Sequence, residues 1–161
     1  MQLMSGDRVG HMVVATYKTP SICVVDDSDD DLLVLKRAFN RLNVINPLQR
    51  FDKAENALAF LMSDEGRLAN VGLLLLDINL PGMDGIEFLE TLRSHDGLVS
   101  VPVVMFTTSD APEDIRRSYQ AGANAFVTKP VATSGFTEAI NSTLSFWLKT
   151  ARLPLSYFED V

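Results

Sequence analysis

Only one cysteine, Cys23, and two histidines occur in the 161 residues. The chain therefore cannot build a disulfide framework or a Cys/His zinc cage. Cys23 lies inside an apolar run, Ile22-Cys23-Val24-Val25, where a thiol reads as a small buried hydrophobe. No apolar stretch approaches the ~18 residues of a membrane span, and residues 1–19 lack the apolar core and small-residue cleavage site of a secretory signal. Cytoplasmic residence is the expectation. Basic residues are also in short supply, 14 against 21 acidic ones, for a net charge of -7. That balance argues against a nucleic-acid or anionic-membrane partner and suits metal ions and basic protein patches. Internal repeats and low-complexity linkers are missing too. The composition that remains, 47% hydrophobic and 22% charged, fits one soluble domain with a full core.

Short apolar runs alternate with stretches of helical period, the pattern of an α/β fold with a doubly wound parallel sheet. Five strands are expected, near residues 21–25, 47–51, 72–76, 103–106 and 125–127, each followed by a helix. The first helix is expected over 29–42, because Leu32, Leu35, Phe39 and Leu42 recur at spacings of three and four. Asp52 with Glu55, and Asp110 with Glu113, have the spacing of capping boxes that open the second and fourth helices. The third helix is expected to start near Gly85. The fifth turns Phe136, Ile140, Leu144 and Trp147 inward. Right-handed crossovers place these helices on both faces.

Four of the apolar runs end in polar residues: Val25 in Asp26-Asp27, Leu76 in Asp77, Phe106 in Thr107, and Val127-Thr128 in Lys129-Pro130. In open α/β sheets ligands bind at the carboxyl ends of the strands, so these residues imply one site. Carboxylates crowded there repel, by about 4 kcal/mol for a pair at ~4 Å in an effective dielectric of ~20. A divalent cation would relieve this. Oxygen donors favour Mg²⁺, with Mn²⁺ as a substitute, over zinc. Lys129 supplies a mobile positive charge and Thr107 a hydroxyl donor, the complement of a phosphoryl group, and Asp77 at the sheet centre is placed to be the nucleophile. Taken singly, Asp26 and Asp27 could cap a helix, Asp77 could open a turn, and Thr107 and Lys129 could be ordinary strand ends. Their agreement across four strands carries the functional reading.

With Val25-Asp26-Asp27, Leu76-Asp77-Ile78-Asn79-Leu80-Pro81-Gly82-Met83-Asp84-Gly85, Phe106-Thr107-Thr108 and Lys129-Pro130 in place, the chain resembles the receiver domains of two-component response regulators. The resemblance covers about residues 20–148. It implies a flavodoxin-like sheet of order 2-1-3-4-5 with five helices, flanked by an N-terminal extension, 1–19, and a C-terminal arm, 149–161. It further implies that Asp77 accepts a phosphoryl group from a sensor histidine kinase. By the same resemblance Mg²⁺ is held by Asp27, Asp77 and the Asn79 backbone carbonyl, with Asp26 acting through water, while Thr107 and Lys129 bind phosphoryl oxygens. Movement of Thr107 would let the Phe126 ring turn inward and so change the face made by the fourth helix, fifth strand and fifth helix. The Lys129-Pro130 bond is commonly cis in the family. Phe126 replaces the more frequent tyrosine, Thr108 stands where a smaller residue is usual, and Asn79 and Ser109 occupy positions that modulate self-dephosphorylation.

The acidic opening Asp26 to Asp31 and the segment Phe146 to Pro154 more closely resemble the regulators that partner bacterial and cyanobacterial phytochrome kinases, which consist of the receiver alone. Output is then expected through protein contact, or onward transfer to a phosphotransfer protein. Trp147, Leu148, Leu153, Leu155, Tyr157 and Phe158 make the arm unusually apolar, which favours a homodimer through the fifth-helix region and the arm over a tail folded back on its own domain. Two other classes compete. An Asp-nucleophile phosphatase would need a general acid two residues after Asp77, where Asn79 stands. A degenerate receiver acting without phosphorylation is opposed by the intact acidic pair, Asp77, Thr107 and Lys129.

Overall fold

The computed structural model describes residues 19–154. Among them the order is β1 (Ser21–Val25), α1 (Asp29–Arg41), β2 (Leu48–Phe51), α2 (Ala54–Met62), α3 (Asp64–Ala69), β3 (Val71–Leu76), α4 (Gly85–Arg93), a 3-10 turn (Asp96–Leu98), β4 (Val103–Thr107), α5 (Pro112–Gln120), β5 (Ala125–Thr128) and α6 (Thr133–Ser145), which runs on into a π turn (Phe146–Thr150). The five strands are parallel and lie in the order β2-β1-β3-β4-β5. This is the flavodoxin-like arrangement expected from the sequence.

Strand alternation divides the core in two. Cys23, Val25, Leu74, Leu76, Val103 and Met105 face α2 and α4, meeting Ala57, Leu58, Leu61, Phe88 and Leu89. Ile22, Val24, Leu73, Leu75, Val104 and Phe106 face α1 and α6, meeting Leu35, Phe39, Phe136, Ile140 and Leu144. Both faces are covered, so β1, β3 and β4 read as unbroken apolar runs. Each fully buried Leu contributes roughly 1.5–3 kcal/mol against exposure.

The second connection departs from expectation by containing two helices. Ser63 ends α2 and caps α3: its Oγ accepts from Gly66 N–H at 3.1 Å and donates to Phe60 O at 2.6 Å. Position 66 must be glycine because a Cβ there would collide with the Phe60 carbonyl. Neither expected capping box forms. The N-caps of α2 and α5 are Lys53 and Ala111, one residue later than Asp52 and Asp110, and neither makes a side-chain cap bond. Pro112 starts α5 instead, supplying a preset φ and needing no partner for an N–H. Glu55 and Glu113 have other partners, Met83 N–H and Arg116. The box that does form is Asp84 with Glu87, opening α4 at Gly85.

At the chain ends, the described part of the arm folds back. Trp147 and Leu148 pack on the α1–α6 cluster, and Leu153 lies beside Gly72 with Pro20. Residues 1–18 and 155–161, including Leu155, Tyr157 and Phe158, lie outside the described residues. The peptide bonds are all trans among the described residues, Lys129–Pro130 included, against the cis form suggested by resemblance. No described helix is long and apolar enough to cross a membrane.

Candidate functional site

Main-chain ladders carry the strand ends into one place. Asp77 N–H donates to Val25 O at 2.9 Å, Asp26 N–H to Phe51 O at 3.0 Å, and Lys129 N–H to Thr107 O at 2.6 Å. Asp26, Asp77, Thr107 and Lys129 are all buried, whereas Asp27 is exposed, as strand alternation requires of neighbours. The predicted residues therefore meet at the carboxyl edge of the sheet, with Asp77 following the central strand β3.

The Lys129 ammonium holds the acidic groups together. It donates to Asp26 Oδ2 at 2.6 Å, Asp31 Oδ2 at 2.8 Å and Asp77 Oδ2 at 3.1 Å. The second oxygens are fixed by backbone: Asp26 Oδ1 accepts from Ser28 N–H at 2.9 Å and Asp77 Oδ1 from Asn79 N–H at 3.3 Å. Burial would lower the Lys129 pKa, but hydrogen bonds and charge from Asp26, then Asp31 and Asp77, outweigh it and hold the ammonium protonated above the ordinary lysine range. Burial pushes the Asp26 carboxyl upward, an effect that the Lys129 hydrogen bond and charge only partly oppose.

Asp26, Asp27 and Asp77 each place a carboxylate oxygen within 4.8 Å of the other two. An oxygen-only set of this compactness fits a hard divalent cation. The Thr107 hydroxyl oxygen accepts from Ser109 N–H at 3.3 Å, and Ser109 Oγ donates to Asp114 Oδ2 at 2.6 Å, tying the strand end to α5. Phe126 pairs with Met105 across β4 and β5 and packs on the α2–α4 side of the core. Alternation puts Thr107 on that same face, and Phe126 N–H donates to the Tyr119 hydroxyl at 3.2 Å.

Three contributors were not foreseen. Asp31 sits in the first turn of α1, where its charge reads as a partner of the helix end, and its bond to Lys129 spans 98 residues. Arg50, near the end of edge strand β2, donates through Nε to the Asp26 carbonyl at 3.0 Å and pairs with Asp29 at 2.9 Å. Its one signal was a charge late in a predicted strand. Glu55 holds the loop after β3 through Met83 N–H at 2.9 Å.

A doubly wound sheet whose carboxyl edge gathers four carboxylates and an ammonium defines a charge-compensating site for a hard cation and a small anionic group. The chain belongs to the response regulator receiver domain family, whose model matches residues 22–141. It is 32% identical over 136 residues to the response regulator Rcp1 of Synechocystis, covering 83% of this chain and 92% of that one. Among solved structures it is similar to the phosphorylated cyanobacterial phytochrome response regulator RcpA (TM-score 0.79, 29% identity, 85% of this chain and 99% of that one). It is likewise similar to the Mn²⁺-bound form of Rcp1 (TM-score 0.79, 30% identity, 84% and 99%). The protein is accordingly a receiver-domain response regulator of two-component signalling.

Proposed function

We propose that Asp77 is the phosphoacceptor, taking its phosphoryl group from a phosphohistidine on a sensor kinase. The observation that carries this reading is the placement of Asp77: buried behind the central strand, 3.1 Å from the Lys129 ammonium and within ligand distance of Asp26 and Asp27. An Asp77 carboxylate oxygen forms the new P–O bond as the N–P bond of the donor breaks. The imidazole keeps the electron pair and takes a proton from solvent. Lys129 meets a phosphoryl oxygen with its ammonium. Thr107 Oγ1 already accepts from Ser109, which leaves its own proton to donate to a second oxygen.

Asp27, Asp77 and the Asn79 carbonyl would hold Mg²⁺, with Asp26 reached through water. Bound there, the ion would compensate charge on the carboxylates and the transferring group. Thr107 and Phe126 share a face of the sheet, which supports a switch in which drawing Thr107 toward the phosphoryl group frees space for the Phe126 ring. The altered surface is that of α5, β5 and α6, and output proceeds by protein contact or by transfer to a phosphotransfer protein. The likeness to Rcp1 and RcpA makes a phytochrome kinase the favoured donor.

Intact-protein mass after incubation with acetyl phosphate and Mg²⁺ tests this. One phosphoryl adduct is expected on the wild type, none on Asp77→Asn, and none when the cation is chelated. Rapid turnover of unrelated phosphate esters would point instead to a phosphatase. The absence of an adduct with hydrolysis slowed would point to a receiver that works without phosphorylation.

A further inference from the structure

We propose that Asp31 is a positioning residue for Lys129, the group that keeps the ammonium on station while its other two partners change role. The inference rests on the phosphoacceptor reading of Asp77. An ammonium has three protons, and here each has one carboxylate: Asp26 at 2.6 Å, Asp31 at 2.8 Å and Asp77 at 3.1 Å. The two outer partners belong to the compact group of Asp26, Asp27 and Asp77 that suits a cation; Asp31 stands outside it. When Asp77 becomes an acyl phosphate it ceases to be a carboxylate, and Asp26, as a member of the acidic group, would share its charge with a bound cation. Only the Asp31 bond is independent of both events.

The plainer role for Asp31 is to favour the positive end of α1. That end is already served: Ser28 Oγ accepts from Asp31 N–H at 3.2 Å, and Asp29 and Asp30 bring two further charges to the same turn. The Asp31 carboxylate is committed elsewhere, to a lysine whose side chain is 4% exposed, while Asp31 itself remains 28% exposed at the rim. A long flexible lysine stem buried without such an anchor would sample several rotamers, and transfer is sensitive to where the charge sits as the phosphoryl oxygens arrive. Asp31 thus restrains Lys129 in the bound and unbound states alike, at the cost of one more negative charge near an entering anion.

These two effects have opposite signs, which makes the proposal testable. The initial rate of acyl-phosphate formation is measured against acetyl phosphate concentration at saturating Mg²⁺, for the wild type, Asp31→Asn, Asp31→Glu, Lys129→Ala and the double variant Asp31→Asn/Lys129→Ala. Thermal melts confirm that each is folded. Asp31→Asn is expected to lower the maximal rate about tenfold, the loss of roughly one charge-assisted hydrogen bond, with little change in the half-saturating concentration. Asp31→Glu should recover most of that loss. In the Lys129→Ala background only the repulsion of the entering anion is left, so Asp31→Asn should cause no further loss of rate. A faster or unchanged Asp31→Asn variant, or losses that multiply in the double variant, would overturn the proposal while leaving Asp77 as phosphoacceptor. A wild type that takes no phosphoryl group would overturn both.

Discussion

Cys23 shows how far burial alone shapes a single residue. It sits in β1 with no exposed surface, and desolvation pushes its thiol up to about 12 from an ordinary value of 9.0. A thiol reagent such as Ellman's is expected to leave the native protein unlabelled and to react only as fast as it unfolds. Between these two values the unfolded thiol has released its proton and the native one has not. The native state then binds more protons, and stability falls as pH rises, by up to about 1.4 kcal/mol per pH unit from this group. Chemical denaturation from pH 8 to 10.5 should show that decline, and Cys23→Ala should flatten it from its lower starting stability; equal slopes would refute the assignment. The burial of Cys23 was legible because its run is uninterrupted. So were Asp26, Asp77, Thr107 and Lys129, each of which ends or follows a strand. Asp31 was not, because its partner is set by how α1 docks on the sheet, and a helical carboxylate has the same local sequence signature whether or not a lysine lies opposite.

At the level of elements, the loop between β3 and α4 is held from three sides. Gly82 adopts φ +78° close to the Glu55 carboxylate, and a Cβ at Gly85 would strike the Asp77 carbonyl, so that α4 can start directly against Asp77. Asp84 Oδ1 accepts from Ile86 and Glu87 N–H at 2.8 and 2.9 Å, and Glu87 Oε2 accepts from Asp84 N–H at 3.1 Å. Asp84→Ala should cost about 1 kcal/mol of stability, read as a lower urea midpoint with unchanged slope, and should also slow acyl-phosphate formation by loosening the loop. An unaffected midpoint would mean that the box contributes nothing net. Strand positions were read from the sequence to within about a residue because a buried parallel strand has a sharp compositional edge. Cap positions were harder. Asp52-x-x-Glu55 and Asp84-x-x-Glu87 carry the same pattern, and what separates them is tertiary: Glu55 is drawn across to Met83, while Glu87 has no such competitor. The break at Ser63 was missed for a similar reason, since its evidence is a contact between Gly66 and the Phe60 carbonyl.

Among the described residues, the acidic group and Lys129 gather at one edge of the sheet, while Pro20 and Leu153, near the limits of the described chain, meet at the other. Phe146 remains exposed beside Trp147, their rings edge to face at 5.2 Å, on the last turns after α6. We propose that a second copy covers this region to form the homodimer. Because Leu153 is already seated on its own domain, any exchanged arm has to begin after it. Sedimentation velocity at tens of micromolar should give a dimer, and Phe146→Ser should shift it toward monomer; a monomeric wild type would rule the dimer out. The doubly wound sheet with helices on both faces was legible in the alternation of runs, and its strand order in the resemblance to receiver domains. The path of the arm was not, because an apolar terminal segment suits its own domain and a neighbour's equally well by composition. The seating of Pro20 and Leu153 together against Gly72 has a consequence for architecture. Chain enters and leaves the domain at a single point, on the amino edge of β3 and away from Asp77. A domain closed in this way can be spliced into a loop of a host protein, or joined end to end and reopened elsewhere, with its acidic rim left clear.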